Sequence, residues 1–246
     1  MIAAEQLTKR FRHRIGESPK RARVEALGPI NIEIETPSAI AVAGANGSGK
    51  STLLGILAGQ HARFEGRLSL FGREVPGPGE TERVSYAPES LDYPPHWTPA
   101  RVFRRVAILE GLTSSQRSER IAKLSADFDL ETALRVPVRA LSRGMRQRVN
   151  LAQSLTREHR LVVWDEPTTG LDWESADRVQ SVIGRLRSSG RTVVFSSHDA
   201  AWIARAAEFV LHLECGVLAF AGQPSLWRDF LAQTAQPRSN QNRLAG

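Results

Sequence analysis

The stretch Gly44 to Thr52, GANGSGKST, brings three glycines, a lysine and three hydroxyl side chains together at a spacing that can hold phosphate. Glycines at 44, 47 and 49 allow a tight turn that aims successive backbone N–H groups inward, so the loop forms an anion nest at a helix N-terminus. Asn46 and Ser48 complete the turn between them, and Thr52 follows inside the helix. Lys50 adds a point charge for β- and γ-phosphates, and the Ser51 hydroxyl is placed to coordinate Mg²⁺. The pattern G-x-x-x-x-G-K-[ST] has this meaning only between a strand and a helix. Here the apolar run 39–43 precedes it and the helix-compatible segment 53–58 follows. Those flanks argue against an ordinary glycine-rich turn.

Acidic and imidazole groups emerge from two further apolar runs. Leu161-Val162-Val163-Trp164 ends in Asp165-Glu166, placing two carboxylates at the carboxyl end of a buried strand, where open α/β sheets bind their ligands. One of the pair can hold Mg²⁺ and the other can accept a proton from an attacking water; the alternative is that they cap the following segment. Thr192 to Phe195 is the next buried strand and ends in Ser196-Ser197-His198-Asp199, which puts His198 at the same edge. Ser142 is a good N-cap for a helix carrying Met145, Val149, Ala152 and Leu155 on one face, and its start is a second potential anion site.

The elements that must position these groups follow from pattern. Ile2 to Thr8 reads as an edge strand. Residues 9–23 hold seven Lys/Arg against the single acid Glu17, broken by Gly16 and Pro19, and read as an exposed loop serving a phosphate-bearing surface. Ile30, Ile32 and Ile34 alternate with Asn31, Glu33 and Glu35, which predicts a half-buried strand beside the one feeding the glycine loop. Arg67 to Phe71 is another strand, and the turn Pro76-Gly77-Pro78-Gly79 leads to a strand at Val84 to Ala87. From Thr98 helical spacing takes over, with Val102, Phe103, Val106 and Leu109, then Ile121, Leu124 and Phe128. This predicts a helical lobe over about 98–150; its positions 101–148 carry eleven Arg/Lys against five Asp/Glu, a surplus for phosphate, lipid or solvent. Val179, Val182, Ile183 and Leu186 form an amphipathic helix stopped by Gly190. Phe209–Leu213 and Val217–Phe220 read as a hairpin over Cys215-Gly216, residues 225–233 as a helix and 236–246 as a disordered tail.

Length and composition bound the architecture. A chain of 246 residues, 41% apolar, suits one α/β domain over 1–235 or a core with a lobe. The lone Cys215 excludes an internal disulfide framework and is expected to be small and buried or in a loop. No apolar run approaches the roughly 18 residues of a membrane span, and the N-terminus lacks the apolar core of a signal peptide, so a cytoplasmic protein is expected. The net charge of +7 permits nucleic acid or an anionic membrane surface without demanding either.

Five motifs in order carry a resemblance: GANGSGKST, LSRGMRQR from Leu141, LVVWDEP from Leu161, GLD at Gly170 to Asp172, and SSH at Ser196 to His198. Together they resemble an ABC transporter ATP-binding subunit from Phe11 to about Leu231. The resemblance implies an α/β P-loop NTPase core of RecA type with an antiparallel β subdomain and an inserted helical subdomain. It implies two such subunits, identical or different, sandwiching two ATP molecules with Mg²⁺ and driving a separate integral-membrane permease from its cytoplasmic face. By matching position, Phe11 stacks on adenine, Gly44 to Thr52 hold the phosphates, Asp165 and Ser51 support Mg²⁺, Glu166 polarises the water and His198 contacts the γ-phosphate. Ser142 and Gly144 would serve the ATP of the opposite subunit, and Asp172 would join the two sites.

Two departures matter. Leu141-Ser142-Arg143-Gly144-Met145 replaces LSGGQ, keeping the hydroxyl and the glycine N–H but ending in an apolar side chain. Glu89, in Tyr86-Ala87-Pro88-Glu89, puts an acid where the family has a neutral metal and water ligand. Both are similar to the type 2 exporter branch, so export is the expected direction. The stretch Tyr86 to Phe103, aromatic and proline-rich, is expected to face the permease, with Glu89 linking it to the metal. A soluble ABC-type ATPase acting on nucleic acid or ribosomes is the competing reading; such proteins usually carry paired cassettes or long coiled-coil insertions, which are absent here, so nucleic acid is not an expected partner.

Overall fold

The computed structural model describes residues 1–14, 21–61, 63–75 and 84–234. In chain order its elements are β1 (Ile2–Arg14), β2 (Arg21–Ile34), β3 (Ala39–Ala43), α1 (Lys50–Leu57), β4 (Glu65–Leu70), β5 (Arg73–Glu74), β6 (Ser85–Ala87), α2 (Pro99–Leu109), α3 (Ser114–Asp127), α4 (Arg143–Ser154), β7 (Leu161–Trp164), α5 (Trp173–Ser188), β8 (Thr192–Ser197), α6 (Ala200–Ala206), β9 (Phe209–Glu214), β10 (Val217–Gly222) and α7 (Pro224–Thr234), with single 3-10 turns at Glu131–Ala133 and Val138–Ala140.

Two sheets organise the chain. A six-stranded sheet runs β10-β9-β3-β8-β7-β6, parallel except for the β10 edge, and a four-stranded antiparallel sheet runs β2-β1-β4-β5. The apolar runs at β3, β7 and β8 are continuous because both of their faces are covered. Along β3, Ala39, Ala41 and Ala43 join the core shared with α4 to α7, whereas Ile40 and Val42 join the core shared with α1 and the antiparallel sheet. Leu53, Leu54, Ile56 and Leu57 of α1 thus lie in one cluster with Ile2, Leu7, Ile30, Ile34 and Leu68 of the antiparallel sheet.

That layering corrects three expectations. β1 is an interior strand, paired with β2 on one side and β4 on the other, not an edge. β2 does not lie beside β3; its buried Ile30 and Ile34 pair with Leu7 and Ile2, so its alternation serves the second sheet. The basic stretch is largely strand: β1 continues to Arg14 and β2 resumes at Arg21 in register with it. Charge does not prevent pairing there because Arg10 reaches both Glu25 and Glu65 at 2.9 Å, and the Lys9 amine donates to the Arg63 carbonyl. Residues 15–20, the turn at 76–79 and the tail 236–246 fall outside the described residues.

Between β6 and β7 the chain forms the helical lobe. Thr98 caps α2 by accepting from the Arg101 N–H at 3.3 Å, with Pro99 in the first turn; Thr113 and Gln116 close a capping box on α3. Phe103 is completely buried among Val102, Leu124, Phe128 and Leu130, so it belongs to the lobe's core and not to a docking face. Trp97 and Tyr93 are half-buried against the same core, and burial pushes the Tyr93 hydroxyl well above its usual range. No described helix is long and apolar enough to cross a membrane. We expect Phe103→Ala to destabilise the protein by about 3–5 kcal/mol, read from denaturant unfolding; a loss close to that of a surface substitution would contradict the lobe core described here.

Candidate active site

β3 delivers the glycine loop to the carboxyl edge of the six-stranded sheet, and the loop's glycines are there for space as much as for turning. Gly44 has φ +141°, and a Cβ on it would lie 2.3 Å from the Leu213 carbonyl oxygen. Gly49, the N-cap of α1 at φ +102°, would place a Cβ 2.8 Å from the Ala26 carbonyl oxygen. The loop is therefore seated against β9, the β9–β10 turn and β2, and Gly216 N–H donates to the Ser48 carbonyl at 3.0 Å. Cys215, in that turn at φ +49°, is exposed.

Over the loop opens a cavity of about 770 Å³ lined by Asn46, Gly47, Gly49, Lys50, Ser51, Thr52, Glu89, Glu166 and His198, with Val24, Glu25 and Ala26 on one wall. Its dimensions and donors suit a phosphate chain: backbone N–H groups at the start of α1, a lysine and two hydroxyls. The Lys50 amine donates to the carbonyls of Gly44 at 2.9 Å and Ala45 at 3.1 Å, and lies 3.8 Å from Glu166 Oε1.

The two carboxylates that follow β7 take different surroundings. Asp165 is buried; its N–H donates to the Ala87 carbonyl on β6 at 2.9 Å, and its Oδ1 accepts the Ser196 hydroxyl at 2.5 Å. Ser196 in turn accepts the Glu166 N–H at 2.7 Å. Glu166 stands at φ +47°, a left-handed backbone that a non-glycine residue adopts only when its surroundings impose it. Gln147 Nε2 donates to the Glu166 carbonyl at 3.2 Å from α4, which ties this residue to the lobe. The Glu166 side chain lies between Lys50 and His198, whose Nδ1 is 3.1 Å from Glu166 Oε2. His198 is mostly exposed and precedes Asp199, which caps α6. Burial, then the Asp165 charge, raises the Tyr86 hydroxyl above its usual range.

Ser51 and Glu89 line the cavity and offer hard oxygen donors for a divalent cation, whereas Asp165, buried at the end of β7 with Oδ1 on the Ser196 hydroxyl, is not among the lining residues. The described residues hold no cluster of three or more His, Cys, Asp or Glu side chains that could ligate a metal by themselves. This donor set fits Mg²⁺, which takes one or two carboxylates or hydroxyls and completes its shell with substrate phosphates and water.

Other sequence-predicted residues lie apart from this cavity. Ser142 caps α4 by accepting the Met145 N–H at 3.1 Å, and Gly144 packs so closely on the 170 turn that a Cβ would sit 3.0 Å from the Gly170 carbonyl. Neither lines the cavity over their own chain's glycine loop. Asp172 caps α5 by accepting the Ser175 N–H at 2.8 Å, which holds its carboxyl below the usual range. Phe11 is in register with the cavity-lining Val24 across the hairpin, but its ring meets His61 edge-on at 5.4 Å and has Lys9 Nζ at 5.0 Å. Ser196 and Gln147 were not legible as site residues. The available signal was a small hydroxyl and an amide at inward positions of otherwise apolar elements.

Residues 27–169 match the ABC transporter family. The chain is 34% identical over 244 residues to the nickel import ATP-binding protein NikO of Rhodobacter capsulatus, covering 86% of this chain and 87% of that one. The Nod factor export ATP-binding protein I of Cupriavidus metallidurans is 30% identical, covering 79% of this chain and 65% of its own length. An uncharacterized ABC transporter ATP-binding protein of Synechocystis is 31% identical over 81% of this chain and 57% of its own length, so the chain spans about three fifths of these last two relatives. The fold matches the dimeric structure of MJ0796, a bacterial ABC transporter cassette, with a TM-score of 0.81 at 22% identity, covering 91% of this chain and 99% of that one. The chain belongs to the ABC transporter family. Gly44→Ala is expected to weaken ATP binding by more than about tenfold, a loss above about 1.4 kcal/mol, in a fluorescent-nucleotide titration; unchanged affinity would mean that the loop does not seat the phosphates.

Proposed function

We propose that the chain binds ATP with Mg²⁺ in the cavity over Gly44 to Thr52, hydrolyses it, and drives a separate integral-membrane permease. The observation that carries this reading is the Glu166 carboxylate, held by a strained backbone between Lys50 and His198 at the mouth of the glycine loop. Lys50, freed from the loop carbonyls, would meet the β- and γ-phosphates. Glu166 would take a proton as water attacks the γ-phosphorus and the bridging oxygen leaves with ADP, while His198 steadies the γ-phosphate. Ser51, Asp165 and Glu89 would hold Mg²⁺, whose charge would offset that of the phosphates.

Ser142, Gly144 and Asp172 would act across an interface with a second cassette, identical or different. That none of the three lines the cavity over their own chain's glycine loop supports this reading. Phe11, one strand from Val24, would offer its ring to adenine after leaving His61. The groove of about 460 Å³ lined by Glu89, Asp92, Tyr93, Arg139, Arg143 and Arg146 would receive the permease, and the subunit would be peripheral on the cytoplasmic face. Export is the direction we propose, on Glu89, the Ser142-Arg143-Gly144-Met145 run and the export relative named above; the import relative is 34% identical, so a transport assay with the permease decides between the two.

Glu166→Gln should lower the ATPase rate by about 10²- to 10⁴-fold while ATP still binds; a rate within a factor of a few of wild type removes Glu166 from the role of base. A mixture of Ser142→Arg and Lys50→Ala subunits, each inactive alone, should regain activity because one composite site per heterodimer stays intact. No recovery, with heterodimers demonstrated, would set aside the shared site.

A further inference from the structure

Several arginines in and beside the helical lobe are paired with acids: Arg120 with Glu158 at 2.9 Å, Arg148 with Asp129 at 2.7 Å, and Arg157, just beyond the lobe, with Glu110 at 4.0 Å. On the outer face of α2, Arg101, Arg104 and Arg105 are exposed, and none has an acidic side chain within ion-pair distance among the described residues. The sequence of α2, PARVFRRVAIL, contains no acid at all.

Helical spacing sorts this segment cleanly. Val102, Phe103 and Ala107 are buried, while positions 101, 104, 105 and 108 form one outward stripe. The stripe does not end in polar residues. Ile108 is 46% exposed and the adjoining Leu109 is 72% exposed. At the other end the Arg101 guanidinium lies 4.9 Å over the half-buried Trp97 ring. Like charges at i, i+3 and i+4 repel one another, and no acid stands at i±3 or i±4 of Arg101, Arg104 or Arg105 to relieve them.

We propose that the outer face of α2 docks on an anionic phospholipid surface, with Arg101, Arg104 and Arg105 at the headgroup phosphates and Ile108 and Leu109 at the boundary with the acyl chains. Guanidinium groups pair with phosphate oxygens in fork geometry, and a short basic helix with an aliphatic end lies in the interface plane. An acidic protein segment would satisfy the arginines but leave Leu109 in water, whereas a bilayer accommodates both. Because Phe103 and its neighbours anchor the opposite face in the lobe core, docking requires no rearrangement of α2. This surface is separate from the nucleotide cavity, and its function does not depend on ATP turnover.

The test uses the full chain in vesicle flotation, comparing phosphatidylcholine with phosphatidylcholine/phosphatidylglycerol vesicles at low salt. Binding to the anionic vesicles, little binding to the neutral ones and release at high salt are expected. Arg104→Gln/Arg105→Gln should lower partitioning by about 25-fold, roughly fivefold per arginine, and Leu109→Ser should lower it several-fold. All variants should keep the wild-type circular dichroism and nucleotide affinity. Equal binding to neutral and anionic vesicles, or anionic binding undiminished in the arginine double variant, overturns the proposal. So does α2-dependent binding to polyglutamate without vesicle binding, which would assign the face to an acidic protein partner.

Discussion

The hydroxyl of Ser196 is the small group on which the placement of the two carboxylates after β7 depends. It accepts the Glu166 N–H and donates to Asp165 Oδ1, so one side chain on β8 fixes two consecutive carboxylates at the end of β7. Both bonds are buried, and the one to Asp165 is to a carboxylate, the stronger kind. They offset the cost of a left-handed Glu166, of order 1–3 kcal/mol, and force the chain to turn where the sheet ends. Asp165 thereby stays in the ladder, bonded to Ala87, while Glu166 swings toward the glycine loop.

Strand register does the rest of the positioning. Trp164 is level with Phe195, and Ser196 and Ser197 are level with Val42 and Ala43. The residue after Ala43 opens the glycine loop, the residue after Ser197 is His198, and the residues after Trp164 are the two carboxylates. Three chain crossings therefore reach one edge at one height, which neither neighbouring strand could achieve if slipped by a residue. Gln147 adds a link from the helical lobe to the Glu166 carbonyl, and Asn150 Nδ2 donates to the Pro88 carbonyl at 2.6 Å beside Glu89. Motion of the lobe would thus be felt at both acids.

Local chemistry made the site legible in the sequence, and long-range pairing hid part of the fold. The glycine loop, the carboxylates after Trp164 and the His198 position each announce themselves within a few residues, because an apolar strand followed by polar groups can end in only one place on an open sheet. The helical lobe was legible from the spacing of Val102, Phe103 and Val106. Assigning β1 and β2 to a second sheet required knowing that Leu7 faces Ile30, and alternation alone does not identify a partner strand. The basic run from Lys9 reads as a loop because Glu25 and Glu65, which pair with Arg10, are distant in sequence. Phe103 and Trp97 looked alike as aromatics in one stretch, yet burial separates a core residue from a half-exposed one. The role of Ser196 was invisible for a simpler reason: a serine at a strand end is common, and only the geometry shows it bridging Glu166 and Asp165.

On the proposed reading Ser196 positions Glu166 and Asp165 for hydrolysis without itself touching ATP, and the steady-state ATPase rate of Ser196→Ala, measured beside its affinity for ATP, tests this most directly. Removing the hydroxyl leaves a buried N–H and a buried carboxylate without their partner, a penalty of about 1–3 kcal/mol for each group. The expected kcat is at least about tenfold lower, about 1.4 kcal/mol, with ATP affinity essentially kept. An unchanged kcat in a folded Ser196→Ala protein would contradict it.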